Sequence, residues 1–130
     1  MKEIYKEIIG YEGYFEISNL GNVRSVTRRV PRGDNYNTYY SKPVATWKTR
    51  KGYVRCTLNK NKVKKNHLIH RLVAEAFIPN ADSTKNQVNH KNFIKEDNKV
   101  LNLEWVDNSE NFAHGVKGKR YKFQRYGIQT

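Results

Sequence analysis

A histidine and a short series of asparagines between residues 87 and 114 are the side chains best suited to metal-assisted chemistry. Asn89 and His90 are adjacent, Asn102 precedes the apolar run Leu103-Glu-Trp-Val106, and Asn111 opens a predicted short helix. A histidine can accept a proton near neutral pH, and amide oxygens can bind a hard divalent cation. This order predicts a small single-metal centre that hydrolyses phosphodiesters, with a hairpin carrying the base and a helix carrying a ligand.

Phosphodiester hydrolysis needs an activated water, a cation beside the phosphate and relief of charge on the leaving oxygen. We predict that His90 is the general base and that Asn102, its partner in the catalytic pair, orients the imidazole or fixes the loop. Asn89, at a strand end, can offer its oxygen to the metal. Asn111 and His114 lie three apart on one helix face, so either could be the second ligand. The expected cofactor is one Mg²⁺ (or Mn²⁺) ion per site.

Each of these residues also has an ordinary structural interpretation. A lone histidine in a hairpin is more often a hydrogen-bonded structural residue than a base. Loop asparagines usually form turns and caps, and we expect this of Asn92 and Asn98. His67 and His70 precede or open the next helix and are expected to belong to the fold. The joint order of the residues, not any one of them, favours the catalytic interpretation.

The positive charge is unevenly distributed along the 130 residues, whose net charge is +13. Residues 21–71 contain 14 Lys and Arg against the single acid Asp34, whereas residues 72–114 contain four Lys against seven acids. Such a balance is typical of proteins with a polyanionic partner, and duplex DNA is the expected one. The candidate phosphate or base contacts are Arg24, Arg28, Arg29, Lys48, Arg50, Lys51 and Arg55.

The first half of the chain is predicted to be rich in β-strands. Residues 14–18 and 23–26 alternate around the turn 19–22, which predicts a hairpin. Residues 27–42 are polar and predict a long mobile loop. Strands are then expected at 44–47, 53–58 and 63–69, with Val54, Cys56 and Leu58 on the buried face of the second of these strands.

The second half changes to a helical period. Leu72, Val73, Ala76 and Phe77 form an amphipathic stripe that must end before Pro79. Residues 88–91 and 103–106 are expected to form a hairpin. A final helix is predicted to be capped by Asp107 or Asn108 and to stop at Gly115. The expected class is therefore α+β, with an N-terminal antiparallel β region followed by a helix and the hairpin-helix unit.

The sequence predicts one compact domain with three regions. Residues 1–66 are a β-rich DNA-docking region, residues 67–116 carry the hydrolytic centre, and residues 117–130 are a basic tail. Cys56 is the lone cysteine, which excludes an internal disulfide and favours a reducing compartment. No apolar run is long enough for a membrane span, so a soluble intracellular protein is expected.

Three parts of the chain carry a resemblance to a known family. They are IGYEGYFEISNLGNVRS (9–25), IHRLVAEAFIP (69–79), and the sequence from VNHK (88–91) through NLEWV (102–106) to SEN (109–111). Together, over about residues 4–116, they resemble an HNH endonuclease of the phage and intron-encoded homing type, with a nuclease-associated modular motif at the N-terminus.

The resemblance implies a ββα-metal nuclease centre with His90 as the base and Asn89 and Asn111 as metal ligands. It makes Asn102 the middle asparagine of the motif and implies that the N-terminal β region docks on DNA. Some relatives have aspartate in place of Asn89, so the ligand set here is more neutral. Relatives often show Asp-Gly where this chain has Asn92-Phe93, so a differently shaped hairpin loop is expected.

The leading prediction is a metal-dependent DNA endonuclease that nicks duplex DNA as a monomer or weak dimer, in the cytoplasm of a bacterial host, encoded by a phage or intron. The alternative is a non-catalytic DNA-binding protein that retains the HNH scaffold, which the neutral ligand set allows. An RNA-binding protein that stacks bases on its tyrosines is a third hypothesis, but the aromatic residues form no clear platform.

Overall fold

The N-terminal region is a succession of short antiparallel strands. A computed structural model describes residues 1–116 of the chain. Strands β1 (Tyr5–Glu7), β2 (Phe15–Ser18) and β3 (Val23–Ser25) form one sheet in the order β1-β2-β3. The predicted hairpin of residues 14–26 is therefore confirmed as β2 and β3.

A second hairpin follows where a mobile loop was expected. Strands β4 (Arg28–Arg32) and β5 (Asn35–Tyr39) pair over five residues, so the loop prediction for residues 27–42 was wrong. Gly33 has a φ of +59°. It takes the first central position of the connecting turn, where a II′ turn requires a positive φ. Nearly every residue of these two strands is exposed, so the apolar alternation that reveals a half-buried strand is missing.

The third strand set agrees with the sequence prediction. Strands β6 (Thr46–Lys48), β7 (Val54–Lys60) and β8 (Val63–Leu68) form a meander in the order β6-β7-β8. Cys56 and Leu58 on β7 are fully buried. Asn61 and Lys62 both have positive φ and make the two-residue β7–β8 turn.

Two helices and a further hairpin complete the described chain. Helix α1 (Ile69–Phe77) ends before Pro79, as predicted. Strands β9 (Gln87–His90) and β10 (Leu103–Val106) pair antiparallel, with a 3₁₀ turn at Val100–Asn102 before β10. Helix α2 includes residues 108–116, so Gly115 lies within the helix and does not stop it. The basic tail predicted for residues 117–130 lies outside the described residues.

One hydrophobic core connects the N-terminal strands to the later hairpin. Helix α1 lies at its centre and contacts β2, β7, β8, β9 and β10. Ile17, Leu58, Ile69 and Val73 are fully buried there, and Leu103 is nearly so. The core thus takes residues from both sides of the expected boundary at residues 66 and 67. Within residues 1–116, no helix is long and apolar enough to span a membrane.

Candidate active site

The β9–β10 hairpin positions the predicted base at the end of a strand. His90 is the last residue of β9 and pairs with Leu103, while the Lys91 amide donates to the carbonyl of Asn102 at 2.8 Å. Helix α1 packs against this hairpin and supports it from the core. Because β9 ends at His90, the strict alternation of side chains need not continue beyond it.

The His90 imidazole is enclosed by polar and aromatic neighbours. It is 5% exposed, and its Nε2 lies 2.8 Å from Oδ1 of Asn98. The rings of His70 and Tyr53 lie 4.9 and 6.2 Å away, centroid to centroid. Burial lowers the pKa of His90, while the hydrogen bond to Asn98 opposes that shift. His90 is therefore neutral near physiological pH.

Asn98 and His70 lie beside the predicted base, and the sequence did not reveal this proximity. Asn98, expected to be a turn former, is buried and hydrogen-bonded to His90 across the hairpin loop. His70 lies on α1, and burial, with the nearby charges of His90 and Arg71, lowers its pKa to about 4. Its Nδ1 is buried without a hydrogen-bond partner among residues 1–116. No signal within the chain links either residue to His90, since the fold alone brings them together.

Asn102 fixes the hairpin loop. Its Oδ1 accepts from the Asn92 amide at 3.0 Å, and its Nδ2 donates to the carbonyl of Asp97 at 2.8 Å. Asn102 was predicted either to orient the imidazole or to fix the loop. Within residues 1–116 its side chain bonds the loop backbone and makes no hydrogen bond to His90. Asn92 forms the expected turn, accepting from the Ile94 amide at 2.9 Å.

Asn89 lies opposite an acidic residue. It is buried and pairs in register with Glu104 on β10, and its Nδ2 donates to Oε1 of Glu104 at 3.0 Å. This contact occupies the amide nitrogen and leaves the amide oxygen of Asn89 as an acceptor. A carboxylate therefore touches the predicted ligand, although sequence reasoning had passed over Glu104.

Helix α2 begins with reciprocal caps, the arrangement of a capping box. The Glu110 amide donates to Oδ1 of Asp107 at 2.8 Å, and the Asp107 amide donates to Oε1 of Glu110 at 3.3 Å. The predicted cap at Asp107 is confirmed. From this helix the exposed Asn111 donates through Nδ2 to Oε1 of Gln87 on β9. This contact places the first turn of α2 against strand β9 of the hairpin.

His114 connects α2 to the end of β9. Its Nε2 donates to the carbonyl of His90 at 2.9 Å, and its ring stacks on Phe93 with centroids 4.1 Å apart. Phe93 has a φ of +66°. Glycine adopts this conformation readily and phenylalanine rarely does. The loop therefore has, at Phe93, the backbone conformation suited to a glycine, and the stacked ring of His114 packs against it.

The oxygen atoms of Asn89, Asn111 and Glu104 are chemically suited to a hard divalent cation. Residues 1–116 contain no group of three or more His, Cys, Asp or Glu side chains that could hold a metal. Amide oxygens from Asn89 and Asn111, with the Glu104 carboxylate adjoining Asn89, are nonetheless oxygen donors of the kind Mg²⁺ accepts. Magnesium keeps several waters and uses substrate phosphates as ligands, so few protein ligands suffice.

The predicted DNA-contacting residues differ in how their charges are used. Arg24 bonds Glu16 at 2.8 Å, and Lys48 bonds Glu96 at 2.8 Å, so both are paired with acids. On the β4–β5 hairpin, the Arg28 guanidinium lies 4.7 Å from the Tyr14 ring centroid and the Arg29 guanidinium 4.5 Å from that of Tyr36. Arg50 and Lys51 are exposed in the β6–β7 turn, and Arg55 is half-buried on β7.

The first strand of this antiparallel hairpin ends in a histidine, and the helix beside the hairpin bears an asparagine. This is the ββα arrangement of HNH nucleases. The expected α+β fold is thus confirmed, and the chain is similar in sequence and in fold to HNH homing endonucleases, with a NUMOD4 motif in its N-terminal part. The NUMOD4 motif itself matches residues 3–59.

Individual relatives are viral proteins. Two of them are uncharacterized HNH endonucleases of Acanthamoeba polyphaga mimivirus. One is 36% identical over 129 residues, which cover 95% of this chain and 34% of the relative. The other is 40% identical over 118 residues, which cover 88% of this chain and 26% of the relative. The DNA endonuclease I-HmuI of Bacillus phage SP01 is 32% identical over 102 residues, covering 78% of this chain and 51% of that protein.

A solved structure has the same fold. The structure described as DNA binding and cleavage by the HNH homing endonuclease I-HmuI superposes with a TM-score of 0.71 at 30% identity, covering 88% of this chain and 58% of that one. This chain therefore spans between about a quarter and three-fifths of the length of these relatives.

Proposed function

We propose that this chain is a divalent-metal-dependent DNA endonuclease that nicks duplex DNA, with His90 as the general base. The observation that carries the proposal is the contact between His114 and the carbonyl of His90 at 2.9 Å. It joins helix α2, which carries Asn111, to the strand that carries Asn89 and His90. The proposed base and the two proposed oxygen donors thus lie on adjoining elements of the hairpin-helix unit, which supports the proposal.

In the proposed reaction His90 accepts a proton, and Asn89 and Asn111 bind the metal ion. A neutral His90 can take a proton from the attacking water because its pKa is lowered by burial. Asn89 and Asn111 would hold one Mg²⁺ or Mn²⁺ ion, which supplies charge neutralisation at the phosphate and the leaving oxygen. We favour Asn111 over His114 as the second ligand, since Nε2 of His114 is already a donor to a carbonyl and Mg²⁺ prefers oxygen ligands.

The substrate we propose is double-stranded DNA, gripped by the basic N-terminal β region. I-HmuI, with which this chain shares its fold, is named a DNA endonuclease, and this supports the proposal. One site per monomer would cut one strand at a time. The viral relatives support a phage- or intron-encoded protein that acts in the cytoplasm of its host cell.

A plasmid-nicking assay tests the base. With the full chain, supercoiled plasmid and Mg²⁺, His90→Ala should slow nicking by about 10²–10⁴-fold, the range for loss of a general base. His67→Ala is the matched control, because His67 is bonded to the Tyr11 hydroxyl at 2.8 Å and lies outside the hairpin. Undiminished Mg²⁺-dependent nicking by His90→Ala would rule out the base assignment.

The second candidate function is a DNA-binding protein without turnover. The specific observation in its favour is the absence, within residues 1–116, of a cluster of acidic and histidine ligands. It predicts salt-sensitive DNA binding by the wild-type chain with no EDTA-sensitive cleavage in Mg²⁺ or Mn²⁺. Cleavage that EDTA abolishes would exclude it.

A further inference from the structure

We propose that Asn98, held in place by the N-terminal turn at Gly21, is the positioning residue that keeps the His90 proton on Nε2 and its lone pair on Nδ1. The inference rests on the proposed function in one respect, namely that His90 is the base. It goes beyond that function by assigning the tautomer and by making the N-terminal motif part of the active-site support.

The hydrogen bond determines which nitrogen of His90 carries the proton. Nε2 lies 2.8 Å from Oδ1 of Asn98. An amide oxygen can only accept, so Nε2 must donate. A neutral imidazole has one N–H, and Nδ1 is then left with the lone pair that a general base needs. Both side chains are nearly buried, at 6% exposure for Asn98 and 5% for His90, so water competes poorly for this bond.

Asn98 is not required for closing the hairpin loop, because Asn102 already does so. Both polar ends of the Asn102 amide bond the loop backbone, at Asn92 and at Asp97. Within residues 1–116, the side chain of Asn98 makes its hydrogen bond to His90. Its effect is therefore expected on the imidazole and not on the course of the chain.

The N-terminal turn holds Asn98 by close approach. A Cβ placed on Gly21 would lie 3.0 Å from Cβ of Asn98 and 3.5 Å from its carbonyl oxygen. The Val100 amide donates to the carbonyl of Asn19 at 2.9 Å, which attaches the same segment to the same turn. Gly21 has a φ of +90°. A glycine at position 21 therefore allows the positive φ of the turn and leaves room for the close approach of Asn98. The Ser18 hydroxyl stabilises the turn by accepting from the amides of residues 20 and 22.

Histidine NMR on the full chain tests the tautomer without relying on catalysis. At about pH 7.5, where histidine is mostly neutral, two-bond ¹H–¹⁵N correlations of the ring should show His90 protonated on Nε2. Asn98→Leu has a similar volume and no acceptor, and should give a mixture of tautomers. Asn98→Asp keeps an acceptor oxygen and should retain the Nε2–H signal. His67, bonded to Tyr11, is the internal reference and should not change.

Plasmid nicking provides the second readout. Asn98→Leu should lose about 10–100-fold in rate, the usual cost of removing a partner that orients a functional side chain. Asn98→Asp should recover most of that loss. A wild-type His90 protonated on Nδ1, or an Asn98→Leu variant that keeps the pure Nε2–H form, overturns the proposal.

A pair of glycine variants isolates the contribution of the turn. Gly21→Ala places a methyl against Asn98, whereas Gly10→Ala, at a nearly equal φ of +87°, meets nothing within 4 Å. Both variants strain the backbone, but Gly21→Ala alone should shift the His90 ring signals. Equal His90 spectra for the two variants would refute the role of the turn. If the wild type proves inactive on DNA but shows the Nε2–H tautomer lost in Asn98→Leu, the endonuclease proposal fails and the positioning role stands.

Discussion

At the scale of single residues, Glu104 is an acidic side chain in direct contact with a proposed metal ligand. It pairs in register with Asn89 and accepts from its amide nitrogen at 3.0 Å. That contact orients the amide and puts a negative charge beside the proposed cation. A partner of this kind influences metal binding without having to be a ligand itself.

Removing the charge of Glu104 should therefore weaken metal binding. We expect Glu104→Gln to raise the dissociation constant for Mn²⁺ by about 10-fold or more, within the range found for such partners. Adding Asn89→Asp to that variant should restore affinity, because the charge returns at the neighbouring position. Mn²⁺ titrations followed by electron paramagnetic resonance measure both. Glu96→Gln, a surface carboxylate bonded to Lys48, is the control and should leave Mn²⁺ affinity unchanged.

At the scale of elements, the β4–β5 hairpin is the clearest candidate for contact with DNA. Its residues are almost all exposed, and no salt bridge within residues 1–116 involves Arg28 or Arg29. Tyrosine rings lie against both guanidinium groups and limit the positions they can take. Both cations thus lie on an exposed two-stranded ribbon and pack against tyrosine rings.

A double substitution in this hairpin should change the salt dependence of DNA binding. Arg28→Ala with Arg29→Ala should weaken duplex affinity and reduce the slope of log K against log salt by about 2, since each phosphate contact contributes about 0.9. Arg24→Ala with Lys48→Ala removes the same charge from residues already paired with acids. Fluorescence anisotropy at several salt concentrations should give a smaller slope change for this second pair. Equal changes would contradict a special role for the hairpin.

The same elements show what the sequence could and could not predict. Strand β7 and helix α1 were predictable because alternating or helical apolar patterns follow directly from burial of one face. Strands β4 and β5 were not, because a ribbon exposed on both faces needs no apolar alternation. Asn98 was missed for a different reason: its partner His90 lies across a loop, and only the folded backbone brings their side chains together.

At the scale of the whole molecule, one core joins the basic N-terminal region to the β9–β10 hairpin. Ile17 and Val23 from the N-terminal sheet share this core with Leu103 from β10. Because this core is close-packed, the N-terminal sheet and the β9–β10 hairpin are expected to behave as one rigid unit. The excess of Lys and Arg in residues 21–71 and the acidic balance of residues 72–114 are thus carried on a single packed unit.

Three histidines at this core and its margins make the stability of the molecule depend on pH. Burial lowers the pKa of His70 to about 4, and lowers the pKa values of His90 and His67 as well. In the unfolded chain these groups titrate near their ordinary values. Below about pH 6.5 the unfolded state therefore binds more protons than the folded state. The free energy of unfolding falls as the pH decreases. For His70 this loss begins near pH 6.5 and is complete below about pH 4.

Replacing His70 with an uncharged residue should remove a large part of this acid sensitivity. Between about pH 7.5 and about pH 5, a histidine whose pKa is lowered this far by folding costs roughly 2 kcal/mol of stability. We expect His70→Gln to lose less stability over that interval than the wild type, as measured by urea unfolding at both values. His67→Gln is the control and should have a smaller effect, since His67 is more exposed and its pKa is lowered less. An equal loss in His70→Gln and the wild type would mean that His70 is not kept neutral by the fold.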